Sequence, residues 1–151
     1  MLRINRQTDY AIRVVLSLAK KPAGTRIPSA DIRMEMLIPP AFLQRIVATL
    51  AAEGFILTQP GRDGGISLAR PPKTINLLQV VEAFEGPIWL SDCVEHLDSC
   101  VFGRTCPVNR RWERLKNVIR AELESATFAD LVADSEALAA LQTKEDLNVL
   151  A

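Results

Sequence analysis

Three cysteines stand out chemically: Cys93, Cys100 and Cys106 fall within 14 residues, and the chain has no other cysteine. Their C-x6-C-x5-C spacing lacks the tight C-x2-C pair of most zinc ribbons, and thiolate is the ligand that iron–sulfur clusters favour. Three thiolates leave one position open. An oxygen or nitrogen ligand there makes a more labile site than a full set of four cysteines, which suits a sensor. His96, the only histidine, lies inside the same stretch; it is a candidate for that position, set against an ordinary solvated loop histidine. The expectation is an iron–sulfur cluster, 2Fe-2S or 4Fe-4S, held by Cys93, Cys100 and Cys106. The competing readings are zinc, buried inert thiols, or a metal-free switch in which two of the three thiols join as a disulfide under oxidant. An odd number of cysteines does not make a disulfide framework.

The elements ahead of the cysteines read as a DNA-binding unit. Apolar residues at helical spacing predict a first helix from about Thr8 to Lys20, ended by Pro22-Ala-Gly24. Ser29 is a good N-cap for a short second helix through Ile32 and Met34. Leu37-Ile38 before Pro39-Pro40 makes a turn, since the residue before a proline leaves the helical region. A third helix then turns Phe42, Leu43, Ile46, Val47 and Leu50 inward and Ala41, Gln44, Arg45 and Ala48 outward, and stops at Gly54. Two strand-like runs, Phe55 to Thr58 and Gly65 to Ala69, flank a tip of turn formers that includes Arg62. Three helices and a hairpin spell a winged helix-turn-helix, with the third helix in the major groove and the wing in a neighbouring groove.

After Pro71-Pro72-Lys73, a fourth helix is expected from Ile75 to Phe84. A loop from Ile88 to Pro107 follows, holding the cysteines and Gly103 and lacking periodicity, so its order depends on what the cysteines bind. Val108, Trp112, Leu115, Val118 or Ile119, Glu122 or Leu123, and Ala126 then follow helical packing spacing. That stripe is too long for so small a domain to cover alone, which predicts a helix that pairs with its own copy. A last short helix starts at Thr127-Phe-Ala-Asp-Leu-Val. The expected fold class is mainly α with a small β-hairpin wing: residues 1–73 as the winged helix-turn-helix, 74–107 as connecting helix and cysteine loop, 108–133 as dimerisation helix and terminal helix, and 134–151 as an acidic tail.

Charge divides the same way. Residues 1–75 carry 11 Lys and Arg against 5 Asp and Glu, and residues 76–151 carry 7 against 13, so a net charge of zero conceals a basic half and an acidic half. The basic half offers phosphates a favourable field. No apolar run reaches the roughly 18 residues of a membrane span, and Met1-Leu-Arg-Ile-Asn-Arg6 lacks a secretory apolar region. The expected location is cytoplasmic, with no membrane partner.

The chain resembles the Rrf2 family of bacterial repressors, of the IscR, NsrR and RirA type, over residues 1 to about 133. The resemblance rests on Thr8-Asp9-Tyr10-Ala11, on Leu43-Gln44-Arg45-Ile46 with Leu50 and Gly54, on Gly61-x-x-Gly64-Gly65, on the three cysteines and on Thr127-Phe-Ala-Asp-Leu. It implies a homodimer whose cysteines hold an iron–sulfur cluster and whose DNA affinity changes when that cluster is gained, lost or nitrosylated. It further implies Asp9, from the partner subunit, as the missing ligand, as in the nitric-oxide-sensing branch. The IscR branch instead uses a histidine three residues after the last cysteine, where this chain has Asn109. A residue favoured by the helix macrodipole is the plainer reading of Asp9.

For an operator of double-stranded DNA, Gln44 and Arg45 are the side chains best suited to bidentate contacts with adenine and guanine edges, with Ala41 beside them. Family wings place an arginine where this chain has Pro60, so Arg62 is the candidate for the minor groove. Arg3, Arg6 and the Thr8 hydroxyl are expected near phosphates at the start of the first helix. The expected function is a repressor sensing nitric oxide, redox or iron–sulfur status; the alternatives are a cluster-free thiol-redox or zinc regulator, or a winged-helix accessory factor that binds protein. An enzyme is not expected, for want of a Ser-His-Asp set or a phosphate-cradling glycine loop.

Overall fold

Asn5 starts the first helix: its side chain accepts the Thr8 backbone N–H at 2.9 Å and so satisfies one orphan donor of α1 (Arg6–Ala19), two residues ahead of the expected start. The computed structural model describes residues 3–96, 100–102 and 105–149, the last seven by backbone alone. Met1 and Leu2 of the expected non-secretory N-terminus, Gly103 of the expected loop and residues 150–151 of the expected tail lie outside that set. Ala11, Val14, Val15 and Leu18 bury one face of α1. Pro28, not Ser29, occupies the cap position of α2 (Ser29–Glu35), without a side-chain cap bond. Pro40 opens α3 (Pro40–Ala52), whose Leu43, Ile46 and Leu50 are buried. Gly54, at φ 72°, closes it, and the Phe55 N–H donates back to the Leu50 carbonyl at 2.9 Å.

The wing is the antiparallel pair β1 (Ile56–Gln59) and β2 (Gly65–Leu68), with Ile56 opposite Leu68 and Gln59 opposite Gly65. Ile27 adds a bridge to Ile66, with N–H to O distances of 2.9 and 2.8 Å, and so ties the wing to the segment before α2. That close approach explains Gly65, and the tight backbone of the wing tip explains Gly64. A Cβ on Gly65, whose φ is +149°, would stand 2.7 Å from the Ile27 carbonyl oxygen, and one on Gly64 would overlap the Gln59 carbonyl. Gly65→Ala is therefore expected to lower stability by about 1–3 kcal/mol, read as a fall in urea midpoint; an unchanged midpoint would show that the wing tolerates the shift.

Beyond a 3-10 turn at Pro72–Thr74, Asn76 and Gln79 form a reciprocal capping box on α4 (Leu77–Glu85). Then come α5 (Asp92–Glu95), α6 (Pro107–Ser125) and α7 (Phe128–Val149). α6 is held to α4 by the Arg120–Glu82 ion pair. The chain then returns to the core: the Leu77 N–H donates to the Ala126 carbonyl at 3.0 Å, the Phe128 N–H donates to the Ile75 carbonyl at 2.9 Å, and the Phe128 ring is fully buried in the core, where α7 packs on α1. Thr127 and Asp130 exchange side-chain and backbone hydrogen bonds at the start of α7, and those bonds hold the Asp130 carboxyl below its usual pKa.

The short terminal helix and the unpatterned tail from Asp134 are corrected here. α7 is one helix of 22 residues, because Glu136-Ala-Leu-Ala-Ala-Leu-Gln142 is a run of strong helix formers whatever its lack of a clear apolar face. Among the described residues no helix is long and apolar enough to cross a membrane.

Candidate functional site

Two regions concentrate the expected functional residues. The first is the outer face of α3. Burial of Leu43, Ile46 and Leu50 fixes the rotation of that helix and leaves Ala41, Gln44, Arg45 and Ala48 exposed together. The Tyr10 and Phe42 rings, 5.3 Å apart edge to face, lock α3 against α1. Arg62 is exposed at the wing tip beside Asp63, and Arg3 and Arg6 are exposed at the start of α1.

Thr8 differs from its expected role. Its side chain is fully buried, and its hydroxyl donates to Glu85 Oε1 at 2.6 Å while lying 3.2 Å from Asn5 Oδ1. A hydroxyl already used to pin α1 to the end of α4 is not presented to phosphates. The Asn5 N–H reaches the same Glu85 oxygen at 2.9 Å.

The second region is the cysteine segment. Cys93 sits in α5, Cys100 in an irregular stretch, and Cys106 at the cap of α6; all three are half-buried free thiols. Among the described residues no group of three or more His, Cys, Asp or Glu side chains converges as a metal site. The expected iron–sulfur cluster is therefore corrected: closeness in sequence did not bring the thiols into one ligand set. Asp9 is bound within its own helix, 2.7 Å from Arg13 Nη2, and Arg13 also lies over the Tyr10 ring. His96 donates its backbone N–H to Asp92 at 2.7 Å and holds its ring 3.8 Å from Glu95, not in a set with the thiols.

The structure surrounds Cys93 with polar groups instead. Ser91 Oγ is 3.0 Å from Cys93 Sγ, and Asn109 Nδ2 donates to the Cys93 carbonyl at 2.6 Å. Hydrogen bonding from Ser91 first, and from Asn109 second, holds the Cys93 thiol below its ordinary pKa. Asn109 is itself buried on α6, so Cys93 is tied to that helix. Sequence reasoning missed both partners; Asn109 attracted notice only as a position without histidine.

Elsewhere on α6, Val108, Trp112, Leu115 and Val118 remain exposed. Trp112, Leu115, Ile119 and Leu123 line a groove of about 700 Å³ together with Ile4, Trp89 and Glu85. Lys116 Nζ stands over the Trp89 ring, 4.8 Å from its centre.

The profile of the Rrf2 family, described as iron-dependent transcriptional regulators, matches residues 4–134. A helix-turn-helix-type transcriptional regulator of Mycobacterium tuberculosis is 30% identical over 130 residues, covering 86% of this chain and 81% of the relative. The regulator NsrR of Geobacillus kaustophilus is 30% identical over 141 residues, covering 93% and 96%. Among solved structures, CymR, the global cysteine regulator of B. subtilis, superposes with a TM-score of 0.74 at 25% identity, covering 88% of this chain and 98% of that one. IscR of T. potens shares the fold, with a TM-score of 0.73 at 22% identity over 91% and 90%. A mainly helical fold with an antiparallel wing and a match across most of its length make this chain a member of the Rrf2 family of winged-helix DNA-binding transcriptional regulators.

Proposed function

We propose that the protein is a cytoplasmic homodimeric repressor that reads a two-fold operator and is switched by its thiols without a metal cluster. Residues 1–73 bind DNA: Gln44 and Arg45 read base edges with Ala41 against the groove floor, Arg62 enters the minor groove, and Arg3 and Arg6 meet phosphates. Residues 74–107 bear the switch, and α6, with its exposed Val108, Trp112, Leu115 and Val118, pairs with the partner's copy.

The observation that carries this reading is the hydrogen-bonded, pKa-lowered Cys93 tied through Asn109 to α6. Its thiolate attacks a hydroperoxide, taking one oxygen as a sulfenic acid and releasing water or an alcohol. A second cysteine thiol then displaces the hydroxyl as water, so two thiols are oxidised to one disulfide and one peroxide is reduced. Forming that bond strains the Cys93–Asn109 tie and so shifts α6, which sets the spacing of the two recognition helices.

Binding to duplex DNA before and after hydrogen peroxide tests this, with non-reducing peptide maps to find the disulfide. The expected result is a change of tenfold or more in affinity, absent in Cys93→Ser and restored by dithiothreitol. Affinity indifferent to peroxide would overturn the switch. Alkylation of Cys93 should also remain fast below the ordinary thiol pKa, and Ser91→Ala should move its midpoint upward; a midpoint unmoved by that change would remove Ser91 from the role.

A further inference from the structure

Leu37 lies in the turn between α2 and α3, three residues ahead of Pro40. Its φ of 52° makes it the one non-glycine residue with a positive φ among those described. The reason is local. The Ile38 N–H donates to the Arg33 carbonyl at 3.0 Å, and Ile38 is buried, so the chain must reverse tightly at the end of α2. In such a terminus the reversing position is usually glycine or asparagine, because a β-carbon crowds the following carbonyl oxygen there.

A leucine at that position would be explained by burial, but Leu37 is 80% exposed. Met34, whose carbonyl faces the Leu37 N–H at 3.4 Å, is 68% exposed, and Pro39, Pro40 and Ala41 are exposed as well. An apolar patch thus sits at the leading end of the recognition helix, built on a conformation that a smaller residue would adopt with less strain. Strain of this kind, without return inside the fold, points to a contact outside it.

We propose that Leu37 is a specificity-determining residue that packs on the C5-methyl group of a thymine in the operator. The proposal rests on the reading of α3 as the element in the major groove. Thymine is the base that presents an apolar group there, which suits a side chain with no hydrogen-bonding atom. Leu37 adds an apolar contact to the polar readout by Gln44 and Arg45.

The test uses the duplex recovered by in vitro selection with the full-length protein from a randomised library. Each thymine is then replaced singly by deoxyuridine, which lacks only the methyl. At one symmetry-related thymine pair, the wild type should bind about fourfold more weakly per half-site, the value of one buried methyl group. Leu37→Gly should bind the thymine and uracil duplexes equally, while its melting temperature rises by about 2–4 °C as the strain is relieved. Leu37→Asn, which tolerates the same backbone, should behave like the glycine variant on DNA.

Opposite signs on stability and on discrimination separate a contact residue from a structural one. If the variants discriminate thymine from uracil as the wild type does, Leu37 does not touch the methyl, and an apolar protein partner becomes the explanation of the patch. If selection recovers no duplex and binding does not depend on salt, it is the placement of α3 in the groove that fails.

Discussion

Phe128→Ala is expected to lower the free energy of unfolding by about 3–5 kcal/mol. The ring is fully buried in the same cluster as Ala11, Val15, Ile46 and Leu50. The backbone there is fixed by the Phe128–Ile75 hydrogen bond and by the Asn76–Thr127 bridge, so the surroundings cannot close readily over the vacated space. A loss of that size consumes much of a typical domain's total stability of about 5–15 kcal/mol. Urea unfolding followed by circular dichroism reads it directly. Phe128→Met, which refills most of the cavity, should recover the larger part. A loss below about 1 kcal/mol would mean that α7 is dispensable to the core.

Arg45→Ala should weaken selected duplex by about 1–3 kcal/mol per half-site and relax the preference at one base position in each. Its guanidinium is exposed on α3, whose rotation is fixed by Leu43, Ile46 and Leu50, so no other residue can take its place by turning the helix. Lysine should not restore the preference, since one ammonium cannot make the paired contact of a guanidinium. Arg6→Ala serves as the contrast: a side chain that meets phosphates weakens all sequences alike when lost and lowers the salt slope by about one. If Arg45→Ala behaves in that second way, Arg45 binds backbone and the base readout lies elsewhere on α3.

The DNA-binding half was legible because its signals are local. Apolar spacing in α1 and α3, Pro40 at a helix start and Gly54 just past a helix end each act over one or two turns, and the exposed set Ala41, Gln44, Arg45 and Ala48 follows from the same periodicity. What failed depends on contacts between distant residues. Thr8 reads as an exposed first-turn hydroxyl until Glu85, 77 positions later, arrives to accept from it. The cysteine spacing is compatible with a ligand set, but spacing does not say which way three thiols point, and Ser91 and Asn109 draw Cys93 into a different environment. Leu37 gives no sign of its backbone, since its residue type argues against the conformation that Ile38 imposes.

The bridge between Asn76 and Thr127 brings both ends of the segment containing α4 to α6 to the same point on the core. During synthesis, that arrangement delays closure. The ribosome must release some fifty residues of the excursion before Phe128 can complete the wall of α1, although the recognition helix and wing emerged long before. The nascent chain therefore has its wing and α3 early and its finished core late, so a chain halted before Thr127 lacks the ring that closes the apolar wall of α1 and is expected to be a substrate for chaperones and proteases.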